Sequence, residues 1–200
     1  AKLTTSFTGF GIGNQRFIQN DFGVAAYIPL SKTSDWILSF MFYGGHIQGL
    51  GKDVMFQNRY AVGYMNMRGF YFMGLGPHIG TVGEDGSTSY FFTGIRGNTY
   101  AVLSTDLAIP LPIPREYNIR FTIFSDVGTS FGVDGPNSII NSKGLREFVA
   151  DSISPRVSVG AGITWISPIG PIRVDYAQPI VYERYDNLQT FRITFTILPF

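Results

Sequence analysis

The chain has 200 residues, enough for one domain with its own core. Charged residues make up only 14%, against about 25% in soluble globular proteins, while aromatic residues reach 16% and glycine occurs 24 times. No run approaches the roughly 18 apolar residues that a transmembrane helix needs. This composition favours a transmembrane β-barrel, whose lipid-facing residues are spread over alternate positions. A soluble β-sandwich is the alternative that composition alone leaves open.

Several classes of function are disfavoured by the residues present. The net charge of +1 gives no basic surface for nucleic acid, and cysteine is absent, which removes disulfides and thiolate chemistry. His46 and His78, both in a predicted loop, are too few ligands for a zinc site. No serine lies in a G-x-S-x-G context. We therefore expect no enzyme activity, no metal and no cofactor. Because no initiator methionine is present, we expect the sequence to be a piece of a longer chain.

Apolar and polar residues alternate along most of the sequence, which predicts about eight β-strands. The predicted strands are about 2–11, 16–30, 36–42, 98–112, 117–127, 156–167, 172–181 and 188–200. In the last of these, Phe191, Ile193 and Phe195 are predicted to face lipid, while Arg192 and Thr194 face inward. An antiparallel barrel of this size is narrow and filled by side chains.

The predicted connections alternate between long and short. Long loops follow the third and fifth strands, at about 44–95 and 128–154, and short turns follow the second, fourth and sixth. This asymmetry is typical of bacterial outer-membrane barrels, which have short periplasmic turns and long external loops. The first long loop is rich in glycine and aromatic residues, so we expect it to fold back into the barrel.

Two aspartates, Asp106 and Asp126, are predicted on the inward side of neighbouring strands, where an unpaired carboxylate is costly to bury. Arg68, in the long loop, could bind one or both through its planar guanidinium. Alternatively, the aspartates line a wet lumen and Arg68 is solvated. The inward cations of the strands could also neutralise the aspartates; they are Arg120, Arg173 and Arg192.

Several motifs resemble the BamA family of outer-membrane-protein assembly factors. Met67-Arg68-Gly69-Phe70, followed by Gly76-Pro77, is similar to the VRGF…GP motif of the family's lumenal loop. The stretch from Ser167 to Pro179 resembles the family's penultimate hairpin almost residue for residue. Further matches occur at Leu107–Pro112 and Phe124–Gly128, so the resemblance extends over essentially the whole chain.

This resemblance implies a loop arginine that pairs with two lumenal acids. The matching residues form a loop-lock of Arg68, Gly69 and Phe70 with Asp106 and Asp126. It also implies a terminal-strand β-signal, here at Phe191, Ile193, Phe195 and Phe200. The family barrel has sixteen strands and follows periplasmic POTRA domains, so residues 1–200 correspond to the C-terminal half of the barrel without a POTRA domain.

The function that the resemblance implies is nucleotide-independent insertion of β-barrel proteins into the bacterial outer membrane, with templating at the terminal strand. The implied partners are the lipid bilayer, unfolded β-barrel clients and, through the missing periplasmic domains, the accessory lipoproteins of the BAM complex. Three alternatives remain: a small closed eight-stranded barrel with a structural role, a related polypeptide-translocating pore, and a soluble lipocalin-like barrel.

Overall fold

The computed structural model of the chain describes residues 1–9, 15–31, 35–135 and 138–195. These residues form eight long antiparallel strands, named β1 to β8 here. Their bounds are β1 Lys2–Thr8, β2 Phe17–Pro29, β3 Ile37–Gly49, β4 Thr99–Ile109, β5 Ile119–Phe131, β6 Arg156–Ser167, β7 Gly170–Val181 and β8 Phe191–Phe195. Within the same residues, no helix is long and apolar enough to cross a membrane.

The eight strands form one sheet in chain order, so every neighbour in space is also a neighbour in sequence. The central strands β4 and β5 expose alternate apolar residues on one face, such as Leu103 and Ile123, and bury polar or small ones on the other, such as Ser104 and Thr122. The all-β antiparallel architecture predicted from alternation is therefore confirmed. In the described part of the chain, β1 pairs only with β2 and β8 pairs only with β7.

The predicted start of the first long loop at Gly44 was wrong, because β3 stays paired as far as Gly49. His46 therefore lies in β3, where its Nδ1 is 2.7 Å from Thr99 Oγ1, and not in a loop. The glycines that suggested a loop have a packing role instead. A Cβ on Gly45 would lie 2.7 Å from ring atoms of both Tyr60 and Tyr100, so the missing side chain makes room for them.

Other predicted bounds differ by a few residues. β1 ends at Thr8, β4 ends at Ile109 before its prolines, and β5 begins at Ile119 after a short 3₁₀ turn at Arg115–Tyr117. β5 also continues to Phe131, beyond the predicted end at Val127, because it stays paired with β4 to that point. The predicted turns at Gly11–Gln15 and Ser31–Asp35 lie mostly outside the described residues, and the end of the last strand at 196–200 lies entirely outside them.

The segment of residues 50–98 between β3 and β4, called the lumenal loop here, lies against the inner face of the sheet. The Tyr60 hydroxyl donates to Asp21 on β2 at 2.8 Å, and the Tyr64 carbonyl accepts a hydrogen bond from Arg192 on β8. The loop therefore contacts the inner face of the sheet from β2 to β8.

A second, smaller sheet covers one end of the eight-stranded sheet and is called the cap here. Its four strands come from two loops, and their spatial order is Thr88–Tyr90, His78–Val82, Arg146–Ala150 and Ser138–Ile140. The sequence predicted only a polar loop for 128–154. The cap forms because the lumenal loop and the β5–β6 loop leave the sheet at the same end and supply each other's backbone partners.

The prediction of one continuous last strand, 188–200, was also wrong at its beginning. Leu188–Gln189 pairs with Gly69–Phe70 of the lumenal loop, and only Phe191–Phe195 pairs with β7. The described β7–β8 bonds end with the Ala177 N–H donating to the Thr190 carbonyl, and Pro179, two residues further along β7, has no N–H for another bond. The chain therefore changes partner between Gln189 and Phe191.

Candidate functional site

Arg68 binds the carboxylate of Asp126 through three hydrogen bonds. Its Nε donates to Oδ2 at 2.7 Å and its Nη2 donates to Oδ1 at 2.5 Å, which is the bidentate geometry of a guanidinium on a carboxylate. The backbone N–H of Arg68 donates to the same Oδ2 at 2.9 Å. Asp126 is completely buried, so Arg68 supplies the charge that keeps this carboxylate from being an uncompensated buried anion.

Asp106 is the second acid of the site, and it is held less tightly. Its Oδ1 accepts one hydrogen bond from Arg68 Nη2 at 2.7 Å, and its side chain remains 15% exposed. β4 and β5 place both acids on the same face, because Asp106 pairs with Phe124 and Asp126 with Ser104 in the ladder. The guanidinium carbon of Arg68 lies 3.7 Å from the centroid of the Phe124 ring, between the two acids, in a cation–π contact.

The backbone around Arg68 is fixed as well. Ser158 Oγ on β6 donates to the Arg68 carbonyl at 2.6 Å. Gly69 then takes a φ of 93°, which side chains of L-residues rarely adopt. A Cβ at this position would lie 3.1 Å from Ser158 Cβ and 3.2 Å from Pro179 Cγ. The glycine is therefore required both by its backbone angle and by the closeness of β6 and β7.

A small apolar core lies beside the ion pairs and holds the loop from its other side. Its buried members are Val62, Met67, Phe70, Leu75 and Val102. Only Val102 belongs to the sheet, so this core joins the loop to β4. A Cβ on Gly128 would lie 3.0 Å from the Met67 sulfur, so the glycine in β5 makes space for this core. We call Arg68, Gly69, Phe70, Asp106 and Asp126 the loop-lock.

The sequence left open whether Arg68 meets the two aspartates or is solvated, and the structure contains the ion pairs. The other inward cations go elsewhere: Arg173 binds Asp175 and Arg192 binds the lumenal loop. Of the β-signal residues, Phe191, Ile193 and Phe195 are exposed on the outer face of β8. Phe200 lies outside the described residues.

Sequence reasoning missed a second buried arginine, Arg156, the first residue of β6. Its Nε donates to Asp186 Oδ2 at 2.9 Å, and Nη1 donates to the carbonyls of Ser152 and Ser154 at 3.0 and 2.7 Å. Nη2 donates to the Tyr185 hydroxyl at 3.2 Å. We call these five residues the Arg156 cluster. Its acid and tyrosine come from the β7–β8 connection, where the sequence suggested only a turn, so no local pattern in the sequence pointed to them.

His78 packs against the Arg156 cluster from the lumenal loop, with its ring centroid 5.6 Å from that of Tyr185. Its Nδ1 donates to the Gly76 carbonyl at 2.8 Å, and its Nε2 is buried with no hydrogen-bond partner among the described residues. Burial lowers the pKa of His78 below its ordinary value, and the nearby Arg156 charge acts in the same direction. The imidazole is therefore neutral in the folded cap at pH 7.

These contacts attach the lumenal loop to the inner face of the sheet. The acids of the loop-lock are bound to arginine, and no group of three potential metal ligands occurs among the described residues. Arg68 therefore donates charge-assisted hydrogen bonds to β4 and β5 and accepts a neutral hydrogen bond from Ser158 on β6. The lumenal loop therefore braces the middle of the sheet.

A protein-family model described as the Omp85 superfamily domain matches residues 1–197. Two curated relatives carry the name outer membrane protein assembly factor BamA. The relative from Neorickettsia risticii (strain Illinois) is 32% identical over 192 residues, covering 96% of this chain and 23% of the relative. The relative from Neisseria meningitidis serogroup B (strain ATCC BAA-335 / MC58) is 29% identical over 187 residues, covering 83% of this chain and 22% of the relative.

A solved structure resembles the fold of this chain over most of the chain's length. The crystal structure of BamA from Haemophilus ducreyi lacking POTRA domains 1–3 has a TM-score of 0.72 and 28% sequence identity, and covers 90% of this chain and 34% of the other. The chain spans less than a quarter of the length of the curated relatives that it matches.

Proposed function

Because the chain belongs to the Omp85 superfamily, we propose that it is part of a BamA-like barrel that assembles other β-barrel proteins in the outer membrane. Its fold is that of an outer-membrane β-barrel, and its location is the bacterial outer membrane. The relatives are named as assembly factors. The fraction of their length that is matched supports taking residues 1–200 as the C-terminal half of a larger barrel, with periplasmic POTRA domains in the rest of the protein.

The observation that carries this proposal is the one-sided pairing of β8. The Ala177 N–H donates to the Thr190 carbonyl at 2.8 Å. Hydrogen-bonded and non-hydrogen-bonded pairs alternate along an antiparallel ladder. The backbone groups of Phe191, Ile193 and Phe195 therefore point away from β7, toward an edge that no described residue occupies. Such an edge can template the strand of another chain by β-augmentation.

The loop-lock supports assembly over translocation. A polypeptide-conducting pore needs an open lumen, whereas here the lumenal loop is tied to β4 and β5 by the Arg68 ion pairs and to β2 by the bond from Tyr60 to Asp21. In the proposed activity the barrel stays braced while its terminal edge exchanges partners. Because backbone pairing itself supplies the free energy, the activity needs no nucleotide, cofactor or catalytic side chain.

The proposed activity has three kinds of partner, and each would bind a different part of the protein. The exposed apolar residues of the outer face, among them Leu103, Ile163 and Ile193, would contact the lipid bilayer. Unfolded β-barrel proteins would be the clients at β8. Accessory lipoproteins of the assembly complex would bind through periplasmic domains outside this chain.

The proposal is tested by measuring how fast an unfolded client barrel folds in liposomes, with and without the embedded chain. We expect the chain to accelerate folding and the Ile193→Pro variant to lose the effect. Proline removes an N–H on the free edge of β8 while leaving the bonds to β7 in place. Ile193→Val is the matched control, since it keeps both the N–H and the β-branched side chain.

Two outcomes would contradict the proposal. One is a client folding rate that equals the rate in empty liposomes although the embedded chain is folded. The other is acceleration that survives Ile193→Pro, since clients would then be assisted without the β8 edge.

A further inference from the structure

The lumenal loop contacts the terminal strand at a point separate from the Arg68 ion pairs. Arg192, on the inner face of β8, donates from Nη1 to the backbone carbonyl of Tyr64. Its guanidinium carbon also lies 4.0 Å from the centroid of the Tyr64 ring. One loop residue thus binds the same cation through both a hydrogen bond and a cation–π contact.

No carboxylate in the described part of the chain binds Arg192. Asp175 is directly opposite Arg192 in the β7–β8 ladder, but both of its oxygens accept hydrogen bonds from Arg173 Nε, at 2.8 and 2.9 Å. Arg192 is therefore the surplus cation of this group, and the loop supplies its hydrogen-bond acceptor. Because an inward-facing guanidinium without a carboxylate partner is costly to leave unsatisfied, the Tyr64 carbonyl contributes to holding Arg192 in place.

The backbone next to Arg192 is also attached to the loop. Leu188–Gln189 forms a short antiparallel ladder with Gly69–Phe70, directly after Arg68. Asn187 accepts a hydrogen bond from the Tyr71 N–H at 2.9 Å and donates its own N–H to the Gly74 carbonyl at 2.8 Å. The segment leading into β8 is therefore a neighbour of the loop motif and not of β7.

We propose that Arg192 is a positioning residue that couples the lumenal loop to the terminal strand. In this arrangement Arg68 attaches the loop to β4 and β5, and Arg192 attaches β8 to the same loop, so that the position of the loop determines the position of β8. Removing the Arg68 side chain should therefore destabilise β8, and removing the Arg192 side chain should destabilise the loop around Arg68, because an energetic coupling between two sites is reciprocal. The coupling between the loop and β8 is a structural claim and stands by itself. The further claim, that this coupling controls how readily the β8 edge pairs with a client strand, rests on the proposed function.

The coupling is tested by amide hydrogen exchange of the full chain in lipid bilayers. We expect Arg192→Ala to increase exchange about tenfold or more at Gly69, Phe70, Leu188 and Gln189 as well as in β8, which is the change expected for losing a hydrogen bond to a charged group. Thr194→Ala is the matched control: Thr194 lies on β8, on the same face two residues further on, and pairs with Arg173. This variant should leave the exchange of Gly69 and Phe70 unchanged.

A reciprocal and a rescue measurement complete the test. Arg68→Ala should increase exchange in β8, although the described hydrogen bonds of Arg68 go to β4, β5 and β6 and only the lumenal loop joins it to β8. Arg192→Lys should restore part of the protection, because its ammonium can reach the Tyr64 carbonyl and ring, whereas Arg192→Leu should not.

The inference is overturned if Arg192→Ala increases exchange in β8 and leaves Gly69 and Phe70 protected, or if lysine and leucine behave alike. Neither readout involves a client protein. If the exchange results hold and client folding is not accelerated, the coupling stands and the proposed function fails.

Discussion

Gly69 of the lumenal loop and Pro179 of β7 pack so closely that a carbon added to Gly69 would be in tight contact with the proline ring. A Cβ on Gly69 would lie 3.2 Å from Pro179 Cγ, and the φ of 93° at Gly69 disfavours any side chain. The described β7–β8 bonds end at Ala177, and Pro179, two residues further along β7, has no N–H to donate to another. The loop motif at Gly69 therefore packs against β7 just beyond the end of the β7–β8 ladder.

This packing predicts that Gly69→Ala will displace the loop. We expect the variant to lower the free energy of unfolding by about 2 kcal/mol, since the added methyl combines backbone strain with a steric clash. Gly51→Ala is the matched control, because Gly51 has a φ of 74° but no atom within 4 Å of its added Cβ. Thermal unfolding in detergent would compare the two. Equal losses of stability would mean that only the backbone angle matters.

The two acids of the loop-lock should contribute unequally. Asp126 is buried and accepts three hydrogen bonds from Arg68, whereas Asp106 accepts one and remains partly exposed. We expect Asp126→Asn to cost about 3 kcal/mol of unfolding free energy and Asp106→Asn about 1 kcal/mol. Denaturant unfolding of both variants and of Arg68→Ala measures this. Losses of equal size, or an unchanged Arg68→Ala variant, would contradict the geometry described for the site.

The Arg156 cluster should hold the cap in place. Because Arg156 is fully buried and joins the β5–β6 loop to the β7–β8 connection, Arg156→Ala leaves Asp186 buried without its cation. We expect external protease to cleave residues 138–150 at least tenfold faster in this variant. Arg184→Ala changes an exposed arginine of the same connection and serves as the control. Unaltered cleavage in Arg156→Ala would show that the cap does not depend on the cluster.

The cap should also lose stability in acid through His78. Its folded pKa is lowered by burial, while in the unfolded chain the pKa is about 6.5. Below that pH the unfolded state binds a proton that the folded state does not, so stability falls as pH decreases from about 7. Hydrogen exchange of His78–Val82 at pH 7.5 and 5.5 measures this. In His78→Asn, which keeps a donor for the Gly76 carbonyl but does not titrate, the pH dependence should shrink; a dependence of undiminished size would assign it to other groups.

Alternation was sufficient to predict the strands and the inward position of Asp106 and Asp126, because a period of two is a local property of the sequence. Alternation did not predict the continuation of β3 through Gly44 and Gly45. In the sequence, a glycine that makes room for a tyrosine ring cannot be distinguished from a glycine in a loop, because the tyrosine comes from a distant part of the chain.

The Arg156 cluster and the split before β8 were missed for a related reason. Arg156 resembles an ordinary polar residue at the start of a strand, and its hydrogen bonds come from two connections that converge only in the folded state. Leu188–Gln189 continues the alternation of β8, and only the lumenal loop beside it determines that these residues pair elsewhere.

Site-specific disulfide trapping during client folding tests the central claim, templating at β8, most directly. The chain has no cysteine, so one introduced thiol reports on one position. Ile193→Cys on β8 and Ile163→Cys on β6 are both exposed on the outer face, but only β6 has strands on both sides. With a single cysteine in a strand of the client, we predict a disulfide with Ile193→Cys and none with Ile163→Cys. Equal trapping at both positions, or no trapping at Ile193→Cys while the client folds faster, would contradict the account.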